Sequence, residues 1–181
     1  VDSHPEWWLP DTREEGPNRD LYEGRILDFT FDEVREFIVE VARELVSRFD
    51  VDGLELTFRD PAYFPFPEGR QRAHLMTDLV RRLHGLLDES SQTRARGKRL
   101  LGARVFSSLD KCLDMGLDVP TWIAEGLIDN LCPQNTMYSD FNAPYEEFGA
   151  LTRNSQCMLY PGLNPWVSDR RRRILQSTMT A

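Results

Sequence analysis

Cysteine is scarce in this chain of 181 residues, and the three present, Cys112, Cys132 and Cys157, show no CxxC spacing. An odd number without paired spacing argues against a disulfide framework and against a cysteine zinc site, leaving three reduced, mostly buried thiols. No apolar run approaches the length of a membrane span and no signal peptide is visible. The chain starts at Val1 rather than Met, which leaves its compartment open. Basic residues are outnumbered: 22 Lys and Arg face 30 Asp and Glu, for a net charge of −8. Nucleic acid and anionic membrane both call for a basic surface, so neither is the expected partner and a neutral substrate fits more easily. Neither GxGxxG nor GxxxxGKS/T follows any strand-like segment, so nucleotide binding has no support. His74 and His84 are too far apart on one helix to share a metal, and no cofactor or metal is expected.

What is present is an ordinary globular composition, 40% hydrophobic and 29% charged, enough to build a sizeable core. The most informative stretch is Val51 to Arg59. Leu54, Leu56 and Phe58 alternate with Glu55, Thr57 and Arg59, so a buried strand carries apolar groups on one face and a carboxylate, a hydroxyl and a guanidinium on the other. Residues 1–28 hold adjacent tryptophans and no period, and read as a long loop. From Thr30 onward, Val34, Phe37, Ile38, Val41, Ala42, Leu45 and Phe49 recur at helical spacing, and Thr30 with Glu33 has the form of a capping box. Leu75, Met76, Leu79, Val80, Leu83 and Leu86 mark a second amphipathic helix. Strands are predicted at about 52–58, 99–106, 127–133 and 156–163, with short helical pieces through 109–113 and 120–125 and a helix at 144–152 between them. The closing SDRRRRILQSTM begins another helix, whose arginines read as a solvated face.

This alternation predicts an α/β protein made of four consecutive βα units of a (β/α)₈ TIM barrel, incomplete in this chain, with the strands parallel and side by side in chain order. Residues 1–181 are read as a single partial-barrel domain. Two open sheet edges predict poor stability or self-association.

The ordered set HPEWW (4–8), RILDFTFDEVREFI (25–38), RFDVDGLELTFRDPAYF (48–64), LLGARV (100–105), GLDVPTWIAEGLIDNLCP (116–133) and MLYPGLN (158–164) resembles bacterial glycosyl hydrolase-like TIM barrels, of the family-10 glycosylhydrolase-like sort. The resemblance implies a carbohydrate substrate and carboxylate acid/base hydrolysis. In such barrels the strand matching residues 51–59 typically reads DGLELDF, so an acid is expected where this chain has Thr57. Glycoside hydrolysis needs two carboxyl groups, and Asp60 either takes the second place or, before Pro61, simply turns the chain. The rival reading is a non-catalytic carbohydrate-binding barrel. A TIM-barrel lyase or isomerase would demand a metal or cofactor for which no ligand set is found.

The candidate catalytic residues are Glu55 and Asp129. Glu55 either works as acid, base or nucleophile or braces the barrel through a buried pair with Arg59. Asp129, in GLIDNLCP, either points into the barrel or bridges its interior layers. Arg104, near the end of the second strand, anchors a sugar hydroxyl or pairs with Glu55. Asn130 and Gln134 offer uncharged donors and acceptors, or cap a loop. Tyr160, Trp7 and Trp8 offer flat faces to a sugar or serve as ordinary packing, and His4 precedes the tryptophans as a hydroxyl or metal ligand. Trp122 is expected against the barrel wall.

Overall fold

The computed structural model describes residues 4–9, 26–58, 62–92, 94–134 and 143–162. Among them a single helical turn at Pro5–Trp7 is followed by α1 (Asp32–Arg48), β1 (Gly53–Thr57), α2 (Gly69–Ser91), β2 (Leu100–Val105), α3 (Leu109–Asp114), α4 (Val119–Ala124), β3 (Asn130–Pro133), α5 (Tyr145–Thr152) and β4 (Met158–Leu159). The sheet order is β1-β2-β3-β4 and every neighbouring pair is parallel. Parallel neighbours in chain order, joined through helices, are four consecutive βα units of a (β/α)₈ barrel, as the alternation predicted.

The helices cover one face of this sheet. Leu101, Ala103, Val105 and Leu131 from the strands share a core with Met76, Leu79, Val80, Leu83 and Leu87 of α2 and with Trp122 of α4. Trp122 is wholly buried, and its indole Nε1 donates to Thr77 Oγ1 at 3.0 Å, so the polar atom of the largest core side chain is satisfied. Ser108 and Asp118 cap α3 and α4 by accepting from the main-chain N–H of Lys111 and Thr121. Gly116 ends α3 at φ 84°, with the Phe64 ring 2.4 Å from where a Cβ would sit.

Three expectations are corrected. Thr30 does not cap α1: Phe31 holds the N-cap place, and among the described residues no side chain caps it and the Thr30 hydroxyl has no partner. Instead Asp28 Oδ1 accepts from Thr30 N at 2.8 Å, and the buried Arg35 guanidinium folds back onto the carbonyls of Phe29 and Thr30 at 2.6 and 3.0 Å. Second, the apolar period of α1 does not all face the core. Val34, Val39, Ala42 and Val46 are buried, whereas Phe37, Val41, Leu45 and Phe49 are 39–57% exposed. The reason is the end of a layer. Arg82 of α2 pairs with Asp32 and Glu36, fixing the flank that α1 turns to α2, and at about 100° per residue the exposed stripe falls on the other flank. Third, β3 and β4 are shorter than predicted. Leu127 and Ile128 are buried behind the turn at Gly126, φ 67°, before pairing begins, and β4 itself is Met158–Leu159, although Tyr160 and Gly162 still donate to the carbonyls of Leu131 and Pro133.

Candidate functional site

The face of the sheet away from the helices carries the polar residues. Register places Glu55, Gly102, Asn130 and Met158 in one row across the strands, and Thr57, Arg104 and Cys132 in the next. Alternation along each strand turns both rows to the same side. Gly102 confirms this: a Cβ built there would lie 3.6 Å from Glu55 Cγ and 3.7 Å from Asn130 Cβ. The missing side chain leaves a notch between them.

Arg104 organises the second row. Its Nε donates to Glu55 Oε1 at 3.0 Å and its Nη1 to Gln134 Oε1 at 3.0 Å, while Nη2 stands 2.9 Å from the same Glu55 oxygen. Thr57 Oγ1 is 3.4 Å from Glu55 Oε1. All bonds to Glu55 from described residues therefore converge on Oε1, and Oε2 receives none from them. The side chains of Arg104 and Glu55 are 41% and 45% exposed, so the pair faces open space rather than a buried layer. The pair of Arg104 with Glu55 is thus half-exposed, and exposed ion pairs contribute about 0–1 kcal/mol. Arg59, the expected partner, lies outside the described residues, as does Asp60.

Tyr160 shares this face, more than half exposed, with its hydroxyl 3.3 Å from Met158 Sδ. Gln134 leans over Gly162, where a Cβ would come within 2.8 Å of its side chain. Asn130 Oδ1 is shielded from solvent and has no hydrogen-bond partner among the described residues. Asn130 stands at the start of β3, level with Glu55, rather than toward the carboxyl end. Cys132 sits between Arg104 and Tyr160; burial pushes its thiol up, with Arg104 opposing and Glu55 adding to the shift.

Asp129 is not brought to this site. It precedes β3 at the amino ends of the strands, where Oδ2 accepts from Leu101 N and Oδ1 from Lys98 Nζ, at 2.8 and 2.9 Å. Its main-chain N–H donates to Leu101 O, so side chain and backbone together close the first rung between β2 and β3. That is the geometry of the bridging alternative: both carboxylate oxygens are engaged at the end of the sheet opposite Thr57. Asp129 also lines an open cleft of about 700 Å³ between α4 and α5.

The N-terminal aromatics form a small cluster of their own. His4 stacks on Trp7 with ring centroids 4.1 Å apart and its Nδ1 lies 2.8 Å from Glu6 Oε1. Trp8 pairs with Leu27 in an isolated antiparallel bridge. Phe29 N donates to Tyr63 O, which ties the neighbouring segment to the loop after β1. No hydrogen bond, ion pair or ring contact joins His4, Trp7 or Trp8 to Glu55 or Arg104 among the described residues. Among those residues no cluster of His, Cys, Asp and Glu suits a metal.

Gly102 and Cys132 were not foreseen as parts of the site. Both were accessible from alternation, since RLLGARVF places Gly102 two residues before Arg104, and NLCP places Cys132 two before Gln134.

No family model matches the chain, and no curated protein matches it. The resemblance to family-10 glycosylhydrolase-like barrels is therefore unsupported as a family assignment. A crystal structure of a sugar phosphate isomerase/epimerase from Parabacteroides distasonis is similar at a TM-score of 0.37 and 11% identity, covering 90% of this chain and 68% of that one. Likeness at that level carries no inference about chemistry. The described helices include none long and apolar enough to cross a membrane.

Proposed function

We propose that the helix-free face of this half-barrel binds a carbohydrate. The observation that carries the reading is the cluster of Glu55, Arg104 and Gln134, in which Arg104 donates to both of the others across neighbouring strands and the Glu55–Arg104 pair is half-exposed. Arg104 has five N–H donors, of which hydrogen bonds to described residues use those on Nε and Nη1, leaving donors on both terminal nitrogens beyond these bonds. Glu55 Oε2 remains as an acceptor beside them. Sugar hydroxyls both donate and accept, and a fixed donor set next to a fixed acceptor suits adjacent hydroxyls. The carboxylate and guanidinium offset each other, which fits a neutral ligand. Tyr160 offers a ring face, and the notch at Gly102 admits an exocyclic group beside Asn130.

Hydrolysis is the second reading, favoured by the open oxygen of Glu55 one residue pair from the carboxyl end of β1. It requires another carboxyl group. No other described strand position on this face is acidic, so one copy of the described chain supports binding more directly than turnover.

Calorimetric titration with a panel of neutral oligosaccharides tests the binding. Arg104→Met keeps the aliphatic stem and removes the donors, and should weaken the best ligand about tenfold or more. A panel with no ligand, or affinity unmoved by this change, overturns the reading. Release of reducing ends tests the second: Glu55→Gln should slow it by about 10²–10⁴ while leaving binding measurable.

A further inference from the structure

Four of the described glycines leave no room for a side chain. A Cβ would stand 2.2 Å from Leu100 O at Gly53, 2.1 Å from Asp114 O at Gly69, 2.4 Å from the Phe64 ring at Gly116 and 2.8 Å from Gln134 at Gly162. Gly102 is different. Its backbone is not left-handed, and it lies in a ladder that runs one residue opposite one from Glu55 through Gly102 to Asn130, so it serves no bulge. A Cβ there would meet its nearest atoms, in Glu55 and Asn130, at 3.6 and 3.7 Å, an ordinary van der Waals distance. The ladder therefore has room for alanine, while glycine inside a strand weakens it. Of the usual reasons for a strand glycine, the close approach of another group is the one that remains.

The vacancy is a slot one carbon wide, with Gly102 as its floor and the side chains of Glu55 and Asn130 as its walls. A pyranose ring is too broad to enter it, whereas a single tetrahedral carbon fits. The Asn130 wall carries an acceptor without a donor: Oδ1 is shielded from solvent and unpartnered among the described residues. That oxygen is two bonds from the Cβ that borders the slot, and the torsion that carries it is broad and roughly two-fold. Turning the amide presents it to whatever enters.

We infer that this slot takes the hydroxymethyl arm of a hexose, the methylene resting on Gly102 between the two walls and the hydroxyl donating to Asn130 Oδ1. The inference rests on the carbohydrate reading and narrows it from neutral sugars in general to hexopyranosides. A pentopyranoside lacks the arm, so the slot stays empty and the acceptor unpaired. A 6-deoxyhexoside fills the slot with a methyl and still leaves the acceptor unpaired. A site built to bond a hydroxyl discriminates strongly against an analogue without it, because its own buried polar group is then stranded.

Methyl pyranosides in matched pairs test this: glucose against xylose, galactose against L-arabinose and mannose against D-lyxose differ only in the arm. Titration followed by NMR should find, in the pair that binds best, the hexoside about tenfold or more tighter than the pentoside. Gly102→Ala raises the floor of the slot, and should cost the hexoside about tenfold while leaving the pentoside within about twofold, so that the preference disappears. The melting temperature of this variant should hold or rise, because the methyl meets only ordinary contacts and alanine leaves the unfolded chain less freedom. Asn130→Ala should remove the preference for the hexoside over its 6-deoxy counterpart. A hexoside bound no better than its pentoside, a Gly102→Ala change that spares the preference or weakens both members alike, or a fall in melting temperature showing that packing already fills the slot overturns this inference while sugar binding stands. Absence of affinity for every pair and for the oligosaccharide panel overturns the carbohydrate reading, and the arm with it.

Discussion

Replacing Asp129 separates bracing from catalysis more cleanly than any other change in this chain. Asp129→Ala removes the acceptor of Leu101 N–H, and Leu101 is wholly buried, so water cannot take its place. An unsatisfied buried donor costs about 1–3 kcal/mol. Loss of the Lys98 pair adds at most about 1 kcal/mol, because Lys98 is 47% exposed. A total of about 1–4 kcal/mol corresponds to a fall in melting temperature of roughly 2–16 °C for a chain of this length. Asp129→Asn keeps a carbonyl oxygen for Leu101 and loses only the ion pair, so it should stay within about 4 °C of the parent. Thermal and urea unfolding followed by circular dichroism measure both, and sugar affinity measured on the same samples should not move. The reasoning fails if Asn is as damaging as Ala, if Ala is harmless, or if Asn abolishes binding or turnover while the fold survives.

Other outcomes follow from features on the page. The Arg94 guanidinium beside Asp50 and Asp52 holds both carboxyls below the usual carboxylate range. Their contribution is present above the unfolded value of about 3.9 and is lost as pH falls through the lowered folded values, so melting curves from pH 7 to pH 2 should show a steeper acid-side loss for the parent than for Arg94→Gln; equal slopes would contradict this. Gly116→Ala forces a methyl into left-handed backbone against the Phe64 ring and should destabilise by about 2–4 kcal/mol, whereas Gly85→Ala, with nothing within 4 Å of the added methyl, should stabilise α2 by about 0.5–1 kcal/mol. Burial pushes the thiols of Cys112 and Cys157 up to about 12 and about 11, so an alkylating reagent at pH 8 should reach the half-buried Cys132 first, and a bound sugar should slow it. Peptide mapping that finds Cys112 labelled first would refute the packing described here.

The parts of this structure that depend on alternation were readable from sequence. Leu54, Leu56 and Phe58 on one side and Glu55 and Thr57 on the other define β1, and the succession of helical and strand-like segments predicts the parallel order found. Arg104 was legible for the same reason. Helical period fails where the layer ends: Phe37, Val41 and Leu45 recur as core residues do, and nothing in the spacing tells that the described layer has no neighbour on that flank. Asp129 shows a different limit. The run LIDNLCP reads as one strand, but the strand proper starts at Asn130 with Asp129 on its first rung, and a shift of a few residues moves an acid from the mouth of a barrel to its base. That its side chain takes a main-chain place in the ladder has no signature in composition or period.

Glu55, Gly102 and Asn130 hang from three adjacent strands in one register row, so the spacing of their backbones is set by the hydrogen-bond ladder itself. Two strand spacings of about 4.8 Å put Glu55 and Asn130 roughly 10 Å apart at the main chain, with the notch midway. Such a ruler is independent of the loops. Insertions, deletions or randomised libraries in the segments that follow the strands can therefore reshape the rim and change which ligand is admitted without moving the groups that hold it, which makes this sheet a scaffold whose selectivity and whose geometry can be varied separately.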